Sequence, residues 1–272
     1  MFQRILITFF IVLSPFILSA QNGRYELGGR ANGMANTSMT LSDEWSLFNN
    51  VGALAHLEET IAFTTYRNIF DLVELNTFGA GFAKPAFGGV IGVGVFRFGD
   101  NFYNDQKINV GFSNKFGLVS LGINVNYVQI NVEGAGRKGI MMIDFGGKAI
   151  ITNQLVFGAF ISNINQGELS AISGEKLPTI MRAGFSYRPI EGLMLNTGIE
   201  KELDIDANVK IGLEYQIIDK VQIRTGIKLE PFESSYGLGF DQNKLKINYA
   251  FRNNPDIGDI HEISLGYRFK KQ

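Results

Sequence analysis

The residue types that could do chemistry are few. His261 stands three residues before Ser264, so a base and a hydroxyl nucleophile lie close in sequence. His261 opens a run of alternating residues, and positions three apart in a strand face opposite ways, which prevents direct proton transfer. His56, beside Glu58 and Glu59, reads as an exposed turn residue. Gly88–Gly94 (GGVIGVG) has the glycines of a phosphate cradle but lies inside a strand pattern, not between a strand and a helix. Glycine there suits a bend in a sheet or a close approach of another segment. No GxSxG, HExxH or Walker A motif is present. With no cysteine there are no disulfides, thiolate zinc sites, cysteine nucleophiles or lipidated N-terminal Cys. We therefore expect no enzyme, no cofactor and no metal. The 25 Lys+Arg and 26 Asp+Glu leave a net charge of −1, which gives no footprint for nucleic acid.

The remaining chemistry is a set of charges that recur at every second position. Asp144, Lys148, Arg182, Arg188, Glu200, Lys210, Glu214, Arg224, Lys228, Lys246, Arg252 and Arg268 all fall on the polar side of alternating runs. In 206–216, Val209, Ile211, Leu213 and Tyr215 share one face and Lys210, Gly212 and Glu214 the other. In 221–230, Val221, Ile223 and Ile227 oppose Gln222, Arg224 and Lys228. Val119, Leu121, Ile123, Val125 and Tyr127 likewise oppose Ser120, Gly122, Asn124 and Asn126.

The runs are mostly about 10 residues long, the length of a tilted membrane-crossing strand and longer than the usual ~5–6 of a globular one. Aromatics such as Tyr66, Phe98, Phe116, Tyr127, Tyr187, Tyr215, Phe251, Tyr267 and Phe269 gather near run ends, as interfacial girdles require. We count fourteen runs, near 61–67, 76–84, 88–98, 106–115, 118–130, 140–151, 154–164, 178–188, 193–202, 206–216, 220–230, 234–241, 244–252 and 260–270. Short connections such as 85–88 and 115–117 alternate with longer ones such as 68–75, 99–105, 131–139 and 164–178, the pattern of bacterial outer-membrane barrels. The fold expected is all-β: a fourteen-stranded antiparallel transmembrane barrel with both termini periplasmic. Charges facing lipid would cost ~2–4 kcal/mol each at the midplane, so the charged face must line the lumen.

Two segments precede the barrel. Residues 1–20 (MFQRILITFFIVLSPFILSA) have the basic start, apolar middle and small Ser19-Ala20 end of a signal peptide, and a single membrane anchor is the alternative. Residues 21–60 do not alternate. Ser42-Asp43 offers an N-cap for a short helix through Phe48, and Asn49–Gly52 a turn. This segment is either a loose leader or a hatch packed in the lumen, and the width of a fourteen-strand barrel favours the hatch. The division expected is 1–20, 21–60 and 61–272. Asp43 and Glu44 could then pair with lumen arginines.

The stretch GGRANGMANTSMTLSDEWSLFNNVGALA resembles the N-terminal signature of the PorV/PorQ family within the FadL-like barrels. Gly29, Arg30, Ala31, Gly33 and Met34 match its first part, Asp43 and Glu44 stand at its acidic pair, and Asn50, Gly52 and Leu54 match its last part. Val51 replaces the usual proline. The resemblance implies an outer-membrane location and a lumen hatch. It further implies a type IX secretion accessory that binds cargo or translocon partners. The alternative is a FadL-like transporter of apolar small molecules, for which Gly79, Gly81, Gly88, Gly89 and Gly92 would mark a strand kink beside a side opening.

Overall fold

The computed structural model describes residues 24–168, 176–203 and 205–269. The expected signal peptide, 1–20, lies outside the described residues. Fourteen antiparallel strands close on themselves, each paired with its sequence neighbours and the last with the first. They are β1 Ile61–Ile69, β2 Leu72–Ala86, β3 Gly89–Gly99, β4 Tyr103–Phe116, β5 Val119–Val132, β6 Gly136–Ile150, β7 Leu155–Ser162, β8 Ile180–Tyr187, β9 Leu193–Glu202, β10 Asn208–Ile218, β11 Val221–Lys228, β12 Glu233–Gln242, β13 Leu245–Asn254 and β14 Gly258–Arg268. Closure leaves no strand edge unpaired, which is what lets a sheet cross a bilayer.

The alternation of burial follows the alternation of residue type. Along β5 the apolar series Val119, Leu121, Ile123, Val125 and Tyr127 is exposed, while Ser120, Asn124 and Asn126 are buried. Val209, Ile211 and Tyr215 are exposed on β10 and Ile263, Leu265 and Tyr267 on β14, so an apolar belt surrounds a polar lumen. Among the described residues no helix is long and apolar enough to span a membrane.

One expectation about loops is corrected. Residues 68–75 are not a loop: β1 and β2 run on to a two-residue turn at Phe70-Asp71, both with positive φ (56° and 55°). Such a turn matches the twist of a tight hairpin, but Asn-Gly usually signals it, and here the sequence carries no glycine. The loops expected at 99–105 and 131–139 likewise shrink to 100–102 and 133–135. At the first, Asp100 closes the turn by accepting from the backbone N–H groups of Phe102 (2.8 Å) and Tyr103 (3.0 Å). The longest strands are β2, β4, β5 and β6, at 14 or 15 residues, and the shortest are β7, β8 and β11, at 8.

Within the barrel lies a hatch from Arg24 to Thr60. It contains α1 (Gly29–Asn32), α2 (Ser46–Asn49) and a 3-10 turn at Val51–His56. The expected helix start at Ser42-Asp43 is instead a turn, in which Asp43 Oδ1 accepts from the Trp45 N–H (3.1 Å), and the helix begins at Ser46. We call the end of the barrel that holds Ile61 and Arg268 the terminal end, and the other the distal end. The hatch descends through the lumen. Arg24 pairs near the distal end with Glu202 (3.4 Å), whereas His56 reaches Ser120 at the foot of β5 (3.2 Å). The described part of the hatch thus starts, at Arg24, at the end of the barrel opposite to Ile61.

Candidate functional site

The hatch meets the wall through two chemically different surfaces. Toward β1 to β6 it is apolar. Trp45, 1% exposed, packs edge-on to Phe63 at 4.8 Å between ring centres and tilts against Phe48 at 6.2 Å. Tyr25 meets Phe96 edge-on at 5.0 Å. These rings belong to one continuous buried cluster. At its terminal end are Leu54, Ile61, Ala83 and Val90; toward its distal end are Phe96, Val128, Ile130, Ile140 and Met142, with Phe98 and Tyr103 against it. On β3 alone, Val90 to Phe98 spans about 26 Å at ~3.3 Å per residue. The cluster is therefore an apolar column along the lumen. Leu177, 2% exposed, covers its distal part from the connection between β7 and β8.

Within this column Lys107 is buried with its ammonium 4.5 Å above the Tyr25 ring and 3.7 Å from Asp144. Tyr25 donates to Asp105 (3.0 Å); burial and then the Asp105 charge push its phenol well above the ordinary range.

Toward β8 to β14 the hatch surface is ionic, and here most of the residues singled out in the sequence converge. Arg30 makes a two-pronged contact with Glu214 (2.8 and 2.6 Å) and reaches Asp43 at 3.3 Å. Burial works against the guanidinium charge, but Glu214 and Asp43 outweigh it and hold its pKa above the ordinary value. Asp43 is raised, first by burial and then by Glu44, against the pull of Arg30. Glu44 pairs with Lys246 (2.9 Å), and Arg224 donates to Glu214 (2.6 Å) and to Asn248 (2.9 Å). Arg182 bridges Glu26 of the hatch (3.2 Å) and Glu200 (2.8 Å), which also binds Lys210 (2.9 Å). Lys228 pairs with Glu233 (2.9 Å). Arg268 lies at the terminal rim against Asp241 (2.5 Å) and Glu59 (3.6 Å). Arg188 falls beyond β8 and is exposed at the same rim.

The small and uncharged motif residues fix how closely the hatch can approach. A Cβ on Gly33 would lie 2.9 Å from the Cα of Gly237, and one on Gly52 2.5 Å from the Gly146 carbonyl oxygen. Gly29 donates to Ser264 Oγ (3.1 Å). Met34 is fully buried against the glycines of β10 and β11, and Leu54 is fully buried in the apolar column. Asn50 spans hatch and wall, donating to the carbonyls of Met39 (2.6 Å) and Gly147 (3.0 Å) and accepting from Gly52 N–H (3.2 Å).

The expected strand kink is corrected. β2 and β3 pair without interruption from Thr77↔Phe98 to Ala86↔Gly89. Gly79 and Gly92 make room for the hatch side chains Leu27 and Leu47, Gly81 for the Phe63 ring, and Gly88 forms the turn with φ +77°. His261 and Ser264 face opposite ways: the first lies outside, tilted against the Phe251 ring (5.2 Å), and the second binds the hatch. Among the described residues no group of three or more His, Asp or Glu is placed to hold a metal ion.

Sequence reasoning missed Glu262 and Arg67. Glu262, 0% exposed, accepts from the Gly28 N–H (2.7 Å), Thr65 (2.9 Å) and Arg67 (2.9 Å). Both fall on the polar side of the alternation in β1 and β14, which was the signal available.

With this geometry in view, the fold can be compared with known ones. The chain shares its fold with the toluene transporter TodX of Pseudomonas putida (TM-score 0.69, 11% identity, 91% of this chain and 100% of that one). The same holds for the CymD monoaromatic hydrocarbon channel (0.68, 10%, 90% and 98%) and a FadL homologue of Pseudomonas aeruginosa (0.63, 13%, 88% and 98%). The fold is a FadL-like barrel with its hatch. No family model matches the chain and no curated protein matches it in sequence, so the resemblance to PorV/PorQ rests on the hatch motif.

Proposed function

We propose that the chain is an integral outer-membrane channel, not an enzyme, that passes small apolar molecules between hatch and wall, with the terminal end toward the periplasm. The apolar column carries this reading: buried rings and aliphatic side chains follow one side of the hatch along the lumen of a FadL-like barrel. An apolar guest could replace those contacts at little cost, because such packing is non-directional. The solved barrels of like fold include a toluene transporter and a monoaromatic hydrocarbon channel. Membrane lipid covers the outer belt, and no nucleic acid is involved.

A second reading, a type IX secretion accessory that binds cargo or translocon partners, draws on the hatch motif, whose Gly33, Asn50 and Gly52 lock the hatch to the wall. One pair of measurements separates the two. Cells expressing the protein are tested for uptake of radiolabelled toluene against cells with an empty vector, and the tagged protein is purified in mild detergent with its companions identified by mass spectrometry. Faster uptake by a protein that purifies alone supports the channel. Unchanged uptake with co-purifying secretion components overturns it in favour of the accessory.

A further inference from the structure

The side chain of Tyr25, on the hatch, is chemically a phenol, and the groups that recognise its ring and its hydroxyl belong to the wall. β3 and β4 pair with Phe96 opposite Lys107 and Phe98 opposite Asp105, and positions two apart on a strand share a face. The lumen wall therefore carries a patch two residues by two, with aromatic rings on one strand and a cation and an anion on the other. Phe96 meets the Tyr25 ring edge-on at 5.0 Å. Lys107 holds its ammonium 4.5 Å from the ring centre. Asp105 Oδ2 accepts the phenolic O–H at 3.0 Å. Face, edge and hydroxyl of a phenol each have their partner.

This patch does more than anchor the hatch. Asp105 is buried, yet its second oxygen, Oδ1, has no hydrogen-bond partner among the described residues. A buried carboxylate oxygen left unpaired is costly, so Tyr25 uses only part of what the patch offers. The hatch is pinned just after Tyr25. The Glu26 carbonyl accepts from Arg67 (2.7 Å), the Glu26 carboxylate pairs with Arg182 (3.2 Å), and the Leu27 N–H donates to Asn49 (3.0 Å). On the other side the described anchor is the partly exposed Arg24, paired with Glu202 (3.4 Å) and Glu200 (3.7 Å). Tyr25 can thus swing off the patch while the hatch beyond it stays fixed.

We propose that the patch of Phe96, Asp105 and Lys107 is a binding site for free phenols, and that Tyr25 is its tethered occupant, displaced when a phenol binds. The site goes beyond the channel reading, because wall residues build it whether or not any guest passes on. The class is set by chemistry. The ligand brings one aromatic ring to the ammonium and one hydroxyl to Asp105, and the unpaired Oδ1 extends the class to rings with a second, adjacent hydroxyl. An aromatic hydrocarbon has nothing to donate to Asp105. The tether gives Tyr25 a high effective concentration, so a free phenol binds more tightly once the Tyr25 ring is absent.

The test is calorimetric titration of the full protein in lipid nanodiscs with phenol and with anisole, which has the ring and the oxygen but no donor. Tyr25→Ala removes the equivalent of one phenol from the site. This variant binds phenol saturably and more tightly than the wild type does. It binds anisole at least about tenfold more weakly than phenol, because a hydrogen bond to a charged acceptor is lost. Adding Asp105→Leu to Tyr25→Ala removes the preference for phenol. Folding is checked by heat-dependent gel mobility. Should Tyr25→Ala fail to fold, the wild type supplies a second measurement: phenol speeds tryptic cleavage after Arg24, and anisole at the same concentration does not. A folded Tyr25→Ala variant that binds phenol no better than anisole overturns the proposal. So does a preference that survives Asp105→Leu, or tryptic cleavage that phenol and anisole speed equally.

Discussion

Trp45 and Arg30 hang from the same hatch fifteen residues apart in number, and they meet the wall on opposite terms. Around Trp45 the contacts with Phe48 and Phe63 are non-directional, so these rings can exchange partners without breaking a hydrogen bond. Around Arg30, Glu214 and Glu262 every contact is a specific pair in a confined space, and losing one partner strands the other. The lesson is a division of labour. Ion pairs set the position and orientation of the hatch, and on the proposed channel reading it is the apolar side that repacks around a guest.

The two sides respond differently to substitution. Glu262→Ala should have the largest effect: it leaves Arg67 buried and uncompensated and removes the acceptor for the Gly28 N–H. A loss of about 3–5 kcal/mol is expected in urea unfolding, and a loss below 1 kcal/mol would remove the distinction between the two sides. Next is Gly33→Val, whose Cβ would press on Gly237; overpacking there should cost about 1–3 kcal/mol and speed proteolysis of the hatch.

A third effect concerns pH. Burial first, then Lys148 and Lys115, lower His56 from its ordinary 6.5 to about 4. The folded state thus binds fewer protons than the unfolded chain between those values. The stability involved is fully present above pH 6.5 and is lost as the pH falls toward 4. Limited proteolysis should show the end of the hatch loosening over that range, and His56→Gln should flatten the response. The smallest effect belongs to the outer face. Tyr249→Phe removes the hydrogen bond to His261 (2.8 Å) at an exposed site and should cost no more than about 1 kcal/mol.

Much of the barrel was legible because one physical demand, apolar to lipid and polar to the lumen, is written at every second residue. Lys210 and Glu214 against Ile211 and Tyr215 needed no further information. Three things were less visible. The Phe70-Asp71 hairpin lacks the usual turn residues, so strand was mistaken for loop. The glycines of β2 and β3 looked like kinks because nothing local reveals that Leu27 and Leu47 come to occupy their faces. The apolar column was hidden for a related reason: Val90 and Phe96 point inward on a strand whose outward residues, Val93 and Val95, are also apolar. In the hatch, motif and spacing singled out Arg30, Asp43 and Glu44. Their partners Glu214 and Lys246 lie far along the chain, and only the closed barrel brings them together.

Trp45 is the only tryptophan in the chain and sits against the column, so its emission reports directly on what occupies that space. The decisive measurement is a titration of the full protein in lipid nanodiscs with toluene. A saturable change in Trp45 emission is the result expected of a column that takes in apolar molecules. No change, or one that grows linearly with toluene in the lipid, would contradict a binding path between hatch and wall.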